Sequence, residues 1–132
     1  MRLRLRGLWL TLGYLLAAAI LFLSLYPFAP IETLPRWTDK VEHGMTHLIL
    51  AGWFLQIYHG KRQWILVSIA CLAFGGAIEL LQMLTPARAA EWLDLGADAV
   101  GVGLASGIAF SRGKYLLEAV ENRLLNSNWK TA

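Results

Sequence analysis

Charged residues are scarce in this 132-residue chain, at 16% against 57% hydrophobic. A water-soluble domain carries about a quarter charged residues. The shortage excludes an ordinary hydrated surface and points to lipid as the main solvent. Cysteine is scarcer still: Cys71 is the single one, so no internal disulfide can form, and its apolar neighbours read as the setting of a buried, inert thiol. The chain has no CxxC, no paired Cys/His zinc spacing and no Gly-rich phosphate loop. Its basic residues do not interleave with aromatics on one face, so no nucleic-acid partner is expected.

What the chain has is apolar length. A helix needs about 20 mostly apolar residues to cross the hydrocarbon core, at about 1.5 Å per residue. Four stretches qualify as spans, over about 8–28, 43–58, 64–84 and 92–110. Pro27, Pro30 and Pro35 end the first, Pro86 follows the third, and Gly60 sits in a tight turn between the second and third. Trp9, Trp37, Trp53, Trp64 and Trp92 lie mostly near span ends, as an interfacial belt would. The basic start and Ala17-Ala18-Ala19 resemble a signal peptide, but the apolar run continues from Ile20 to Leu25, so the first span reads as a retained helix. The fold class expected is all-α: an integral membrane four-helix bundle followed by a short amphipathic helix.

Orientation follows from the basic residues. With the N-terminus inside, Arg2, Arg4, Arg6, Lys61, Arg62, Arg112, Lys114, Arg123 and Lys130 are cytoplasmic, while Arg36, Lys40 and Arg88 are outside. The positive-inside rule selects that topology, with both termini cytoplasmic. Seven of the acids fall in the outer half, and only Glu118 and Glu121 fall inside. Beyond Gly113, Leu116, Leu117, Val120 and Leu124 follow helical spacing, which predicts an amphipathic helix on the cytoplasmic membrane surface.

Ionisable groups within spans carry the functional signal, because hydrocarbon penalises them by about 2.5 to 3.5 kcal/mol each at the centre. Glu79 is about 7 to 8 Å inward from the outer end of its span, and Asp98 about 9 Å, by helical rise. His47 sits at a similar depth. Lys40, His43 and His47 share one face of the second helix, Glu79 and Gln82 one face of the third, and Asp94, Asp98 and Gly101 one face of the fourth. Arg88 lies in the short outer loop, able to lean over either neighbour. Together they predict a polar pocket open to the outer face. Gly75-Gly76 and the Gly103/Gly107 pair suit close helix packing.

The ordered set Asp39-Lys40-Val41-Glu42-His43, Glu79-Leu80-Leu81-Gln82, Pro86-Ala87-Arg88 and Asp94-Leu95-Gly96-Ala97-Asp98-Ala99-Val100-Gly101 resembles the VanZ-like membrane proteins. Their pattern is DKxxH, a later ExxQ, a Pro-Gly-Arg-type turn and DxxxNxxG, matched in order over Asp39 to Gly107. His47 stands where that family often has an aromatic, and Asp98 where it commonly has Asn, so this pocket is the more titratable. The resemblance implies a compact four-helix membrane domain over 1–112, with 113–132 as a cytoplasmic tail, and a link to resistance against envelope-active glycopeptides such as teicoplanin. It names a fold better than a reaction.

Several uses of the pocket follow. In the first, it binds or processes a lipid-linked envelope precursor or an anionic lipid. Arg88 and Lys40 would hold phosphate or carboxylate, and Glu79, Asp94 and Gln82 would hydrogen-bond the head group. In the second, it is a membrane-embedded hydrolase or transferase, with His43 as a general base oriented by Glu79 or Asp94. Asp39, Lys40, His47, Gln82, Arg88 and Asp98 would then be binding groups. No cofactor is implied outright; the third use is zinc or manganese held by His43, His47, Glu79, Asp94 and Asp98. The fourth is structural, with charge pairs pinning the helices.

Overall fold

A computed structural model describes residues 3–26, 35, 37–84, 91–111 and 115–127. The described residues are all-α, with five helices and no strand: α1 (Arg6–Leu25), α2 (Trp37–Ile57), α3 (Lys61–Met83), α4 (Trp92–Phe110) and α5 (Leu116–Ser127). Three of them, α1, α3 and α4, are long and apolar enough to cross a membrane. The fourth expected span, α2, has 21 residues but carries Asp39, Lys40, Glu42, His43 and His47. It begins at Trp37 rather than near His43. Apolar periodicity could not see the added turns, because they carry Asp39, Lys40 and Glu42, and Lys40 is held by Glu91 and Asp94 at the start of α4.

The packing explains why α2 tolerates that composition. It contacts α1, α3, α4 and α5, so His47 is buried and His43 largely covered, while Glu42 near the start of the helix stays exposed. The apolar core runs through Leu50, Ala51 and Leu55 of α2, Cys71 of α3, and Val102, Ala105 and Ala109 of α4. Meanwhile Leu15, Phe22, Ile65, Leu66, Ile69, Leu80, Val100, Leu104 and Ile108 point outward and are exposed. The buried side chains include His47, Glu79, Gln82, Asp94, Asp98 and Glu121. Apolar outside and polar inside suits a lipid bilayer.

Close approach of α2 to α4 sets the geometry of everything polar. A Cβ on Gly101 would collide with the Gly44 carbonyl oxygen and lie 2.9 Å from the Leu48 nitrogen. A Cβ on Gly44 would meet the Ala97 carbonyl at 3.3 Å. Backbone therefore touches backbone at this crossing. The Gly103/Gly107 pair does not serve this role, since added Cβ atoms there meet nothing within 4 Å. Gly60, at φ 112°, provides the left-handed conformation that turns α2 into α3.

At the opposite end, α5 docks through only part of the expected stripe, Leu117, together with Glu121. Leu117 and Glu121, four residues apart, are buried, and Leu117 joins Trp9 and Ile57 in a small second core. Leu116, Val120 and Leu124, also at four-residue intervals, stay exposed. The helix has two apolar edges, one on the bundle and one exposed.

Candidate functional site

Because α2 and α4 touch at Gly44 and Gly101, the i,i+4 pair His43/His47 faces the i,i+4 pair Asp94/Asp98. His43 Nδ1 lies 3.2 Å and His47 Nδ1 2.8 Å from the same Asp98 oxygen, Oδ1. A carboxylate accepts, so each Nδ1 is placed to donate, and in a neutral ring with that tautomer Nε2 carries the lone pair. His43 Nε2 is turned toward Asp94 Oδ2, 4.0 Å away. Glu79 enters from α3, with Oε1 4.0 Å from His43 Nδ1, and its Oε2 accepts the Glu91 backbone N–H at 3.2 Å.

Lys40 closes the cluster at its outer rim. Its ammonium contacts Asp94 Oδ1, Glu91 Oε2 at 2.6 Å and Asp39 Oδ2 at 3.3 Å. A cation shared by three carboxylates is poorly disposed to grip a phosphate as well. Five carboxylates, those of Asp39, Glu79, Glu91, Asp94 and Asp98, thus surround one ammonium and two imidazoles. The described part of the site is acidic, and chemically it suits ammonium or hydroxyl groups, protons or metal ions.

Seven expected residues, Asp39, Lys40, His43, His47, Glu79, Asp94 and Asp98, come together. Gln82 is buried and donates to the Ser24 carbonyl of α1 at 2.9 Å, so it bridges helices beside the cluster. Arg88 falls in the 85–90 segment, outside the described residues. Two contributors were missed. Glu91 holds Lys40 and fixes Glu79; its position just before a helix start was the available signal. Gly75 is the other: a Cβ there would overlap Asp98 Oδ2 and come within 2.8 Å of His47 Nε2. Those two atoms are buried without a hydrogen-bond partner, so they converge on the room that the glycine leaves.

Two cavities share the cleft between α1, α2 and α3. The more polar one, about 90 Å³, is lined by Ser24, Asp39, Glu42, His43, Thr46, His47 and Asp98 together with Ile20, Leu23, Gly75 and Ile78. The apolar one, about 480 Å³, is lined by Tyr14, Ala17, Leu50, Phe54, Val67, Ala70, Cys71 and Phe74. The two linings abut within one turn on each of these helices, at Ala17/Ile20, Leu50/His47 and Phe74/Gly75, and the change from apolar to polar is made mainly by α2, with Ser24 of α1 and Asp98 of α4. A separate apolar cleft of about 370 Å³ between α3 and α4 reaches Glu79 and Glu91 from the other side.

Comparison of the chain with protein families, curated proteins and solved structures finds no match. The functional reading therefore rests on the geometry and on the motif resemblance.

Proposed function

We propose that this is a VanZ-like, multi-pass protein of the bacterial inner membrane that binds or processes a lipid-linked cell-envelope molecule. In this reading α1 to α4 all span, both termini are cytoplasmic, and the polar cluster opens toward the outer face. The observation that carries it is the stacking of a polar cavity on an apolar one within a single cleft. That is the profile of an amphiphile: an isoprenoid or acyl chain between α1 and α3, and a head group beside His43 and Asp98. Purely structural charge pairs would need no apolar extension.

The head group is narrowed by the charges. Since Lys40 is held by three carboxylates, hydroxyls or ammonium groups of a sugar or peptide are the better partners for the described residues. Any phosphate would fall to Arg88. His43, oriented by Asp98, is the general base if the molecule is processed.

The test is lipid identification by mass spectrometry on the full chain extracted in mild detergent. Ala70→Trp fills the apolar cavity and should deplete one copurifying lipid class, while bulk phospholipid stays constant. His43→Gln should weaken retention of that same class. If both variants carry the lipids of the wild type unchanged, the reading is wrong. A second reading, charge pairs that only hold helices together, is favoured at one point, the Lys40 network. It predicts that Lys40→Met unfolds the protein and that His43→Gln has no effect on lipid content.

A further inference from the structure

Three polar atoms at the rim of the cluster are arranged as metal ligands. One ligand atom each from Asp39, His43 and Asp94 lie within 4.8 Å of one another. We propose that these three residues bind one divalent first-row transition ion, zinc or manganese, at the mouth of the polar cavity.

Spacing supports this first. Ligand atoms about 2.0–2.1 Å from a tetrahedral zinc are themselves about 3.3 Å apart. His43 Nε2 and Asp94 Oδ2, at 4.0 Å, are too far apart to hydrogen-bond and need only a small side-chain rotation to share an ion. One imidazole with two carboxylates is a donor set that suits zinc or manganese.

Orientation supports it next. A histidine that ligates a metal typically donates its other ring N–H to a carboxylate, which fixes the ring and strengthens the ligand. Asp98 Oδ1, on a residue with no exposed surface, holds His43 Nδ1 at 3.2 Å and leaves Nε2 directed at Asp94. Lys40 occupies Asp94 Oδ1 and Asp39 Oδ2, so Asp94 Oδ2 remains for the ion.

The independent sign of a ligand comes from α3. Glu79 is only 8% exposed, and its Oε1 has no hydrogen-bond partner while lying 4.0 Å from His43 Nδ1. An unmet buried acceptor is costly. A water carried by an ion at this position would satisfy it. The carboxylate excess around Lys40 draws a cation in the same direction.

The experiment uses the full chain with a tag free of histidine, in mild detergent. It is equilibrated with zinc or manganese, gel-filtered and assayed by elemental mass spectrometry. About one ion per chain is expected, given one three-residue ligand set. Asp39→Asn and His43→Gln should each reduce bound ion by at least about tenfold, and Asp98→Asn should weaken affinity about 10–100-fold through the His43 tie. Glu118→Gln, far away on α5, should keep the ion. Asp39 lies at the rim, so Asp39→Asn keeps the test usable if His43→Gln misfolds, with elution profile and melting as the folding checks. Cobalt substitution adds a visible spectrum that Asp39→Asn should abolish. Less than about a tenth of an ion on the wild type, or equal ion on wild type and folded Asp39→Asn, overturns the proposal. No lipid enters this assay, so it can fail or succeed independently of the lipid reading.

Discussion

Glu121 and Glu79 are both buried glutamates, and they sit at opposite ends of the bundle in opposite conditions. Glu121, on α5, is 1% exposed and accepts three hydrogen bonds: Arg4 N at 2.6 Å, Leu5 N at 2.9 Å and Trp9 Nε1 at 2.8 Å. It holds the two backbone N–H groups that lead into α1, where the helix dipole also favours a negative charge. Glu79 receives one backbone N–H and leaves Oε1 unpartnered beside an imidazole and other carboxylates. The same side chain is a satisfied strut in one place and an unsatisfied acceptor in the other. Burial alone does not distinguish the two; hydrogen-bond satisfaction does.

Making the same substitution at both positions sharpens the contrast. Glu121→Gln removes the charge and turns an NH₂ toward N–H donors, so it should destabilise by about 3 kcal/mol, with α5 becoming sensitive to protease. Glu79→Gln loses a single backbone contact and relieves carboxylate repulsion, so it should raise stability by about 1 kcal/mol while impairing the site. Denaturation in detergent measures both. Equal losses at the two positions would erase the distinction. Between these in size stands Gly101→Ala, whose methyl would push α4 off the Gly44 carbonyl and cost about 2 kcal/mol. Because that crossing aligns His43/His47 with Asp94/Asp98, Gly101→Ala should lower lipid retention as well as stability. Gly103→Ala, with nothing within 4 Å of the new methyl, is its neutral control.

The parts of this contrast that were legible in the sequence are those governed by a single helix. Apolar length located α1, α3 and α4, and four-residue spacing put His43 with His47 and Asp94 with Asp98. Depth along the spans put Glu79 and Asp98 at one level. What failed to show depended on which helix meets which. Gly101 rather than Gly103 is the crossing point, and no one-helix pattern separates them. Glu121 looked like a solvated charge on an amphipathic helix, because its three donors come from the far end of the chain. The apolar stripe Leu116, Leu117, Val120 and Leu124 was visible, yet of these only Leu117 docks on the bundle, together with Glu121. Glu91 was counted only as outer charge, since its partner Lys40 is 51 residues away.

Acid provides the finest test of the difference, because it acts on one charge without changing a single atom of the packing. Burial by itself would raise the Glu121 carboxyl, but the N–H donors of Leu5, Trp9 and Arg4 together outweigh it and hold the group below its ordinary value. A carboxyl depressed on folding stabilises above its unfolded value, about 4.3, and that contribution drains away as pH falls through the lower folded value. Stability of the wild type alone would mix this with the acids of the cluster. The gap between wild type and Glu121→Gln isolates it, since both proteins share every other titrating group. That gap should stay constant from neutral pH down to about pH 4.5 and narrow at lower pH. A gap unchanged down to pH 3 would mean that the Glu121 charge does not hold α5 to the start of α1, and shape complementarity around Leu117 and Trp9 would have to take its place.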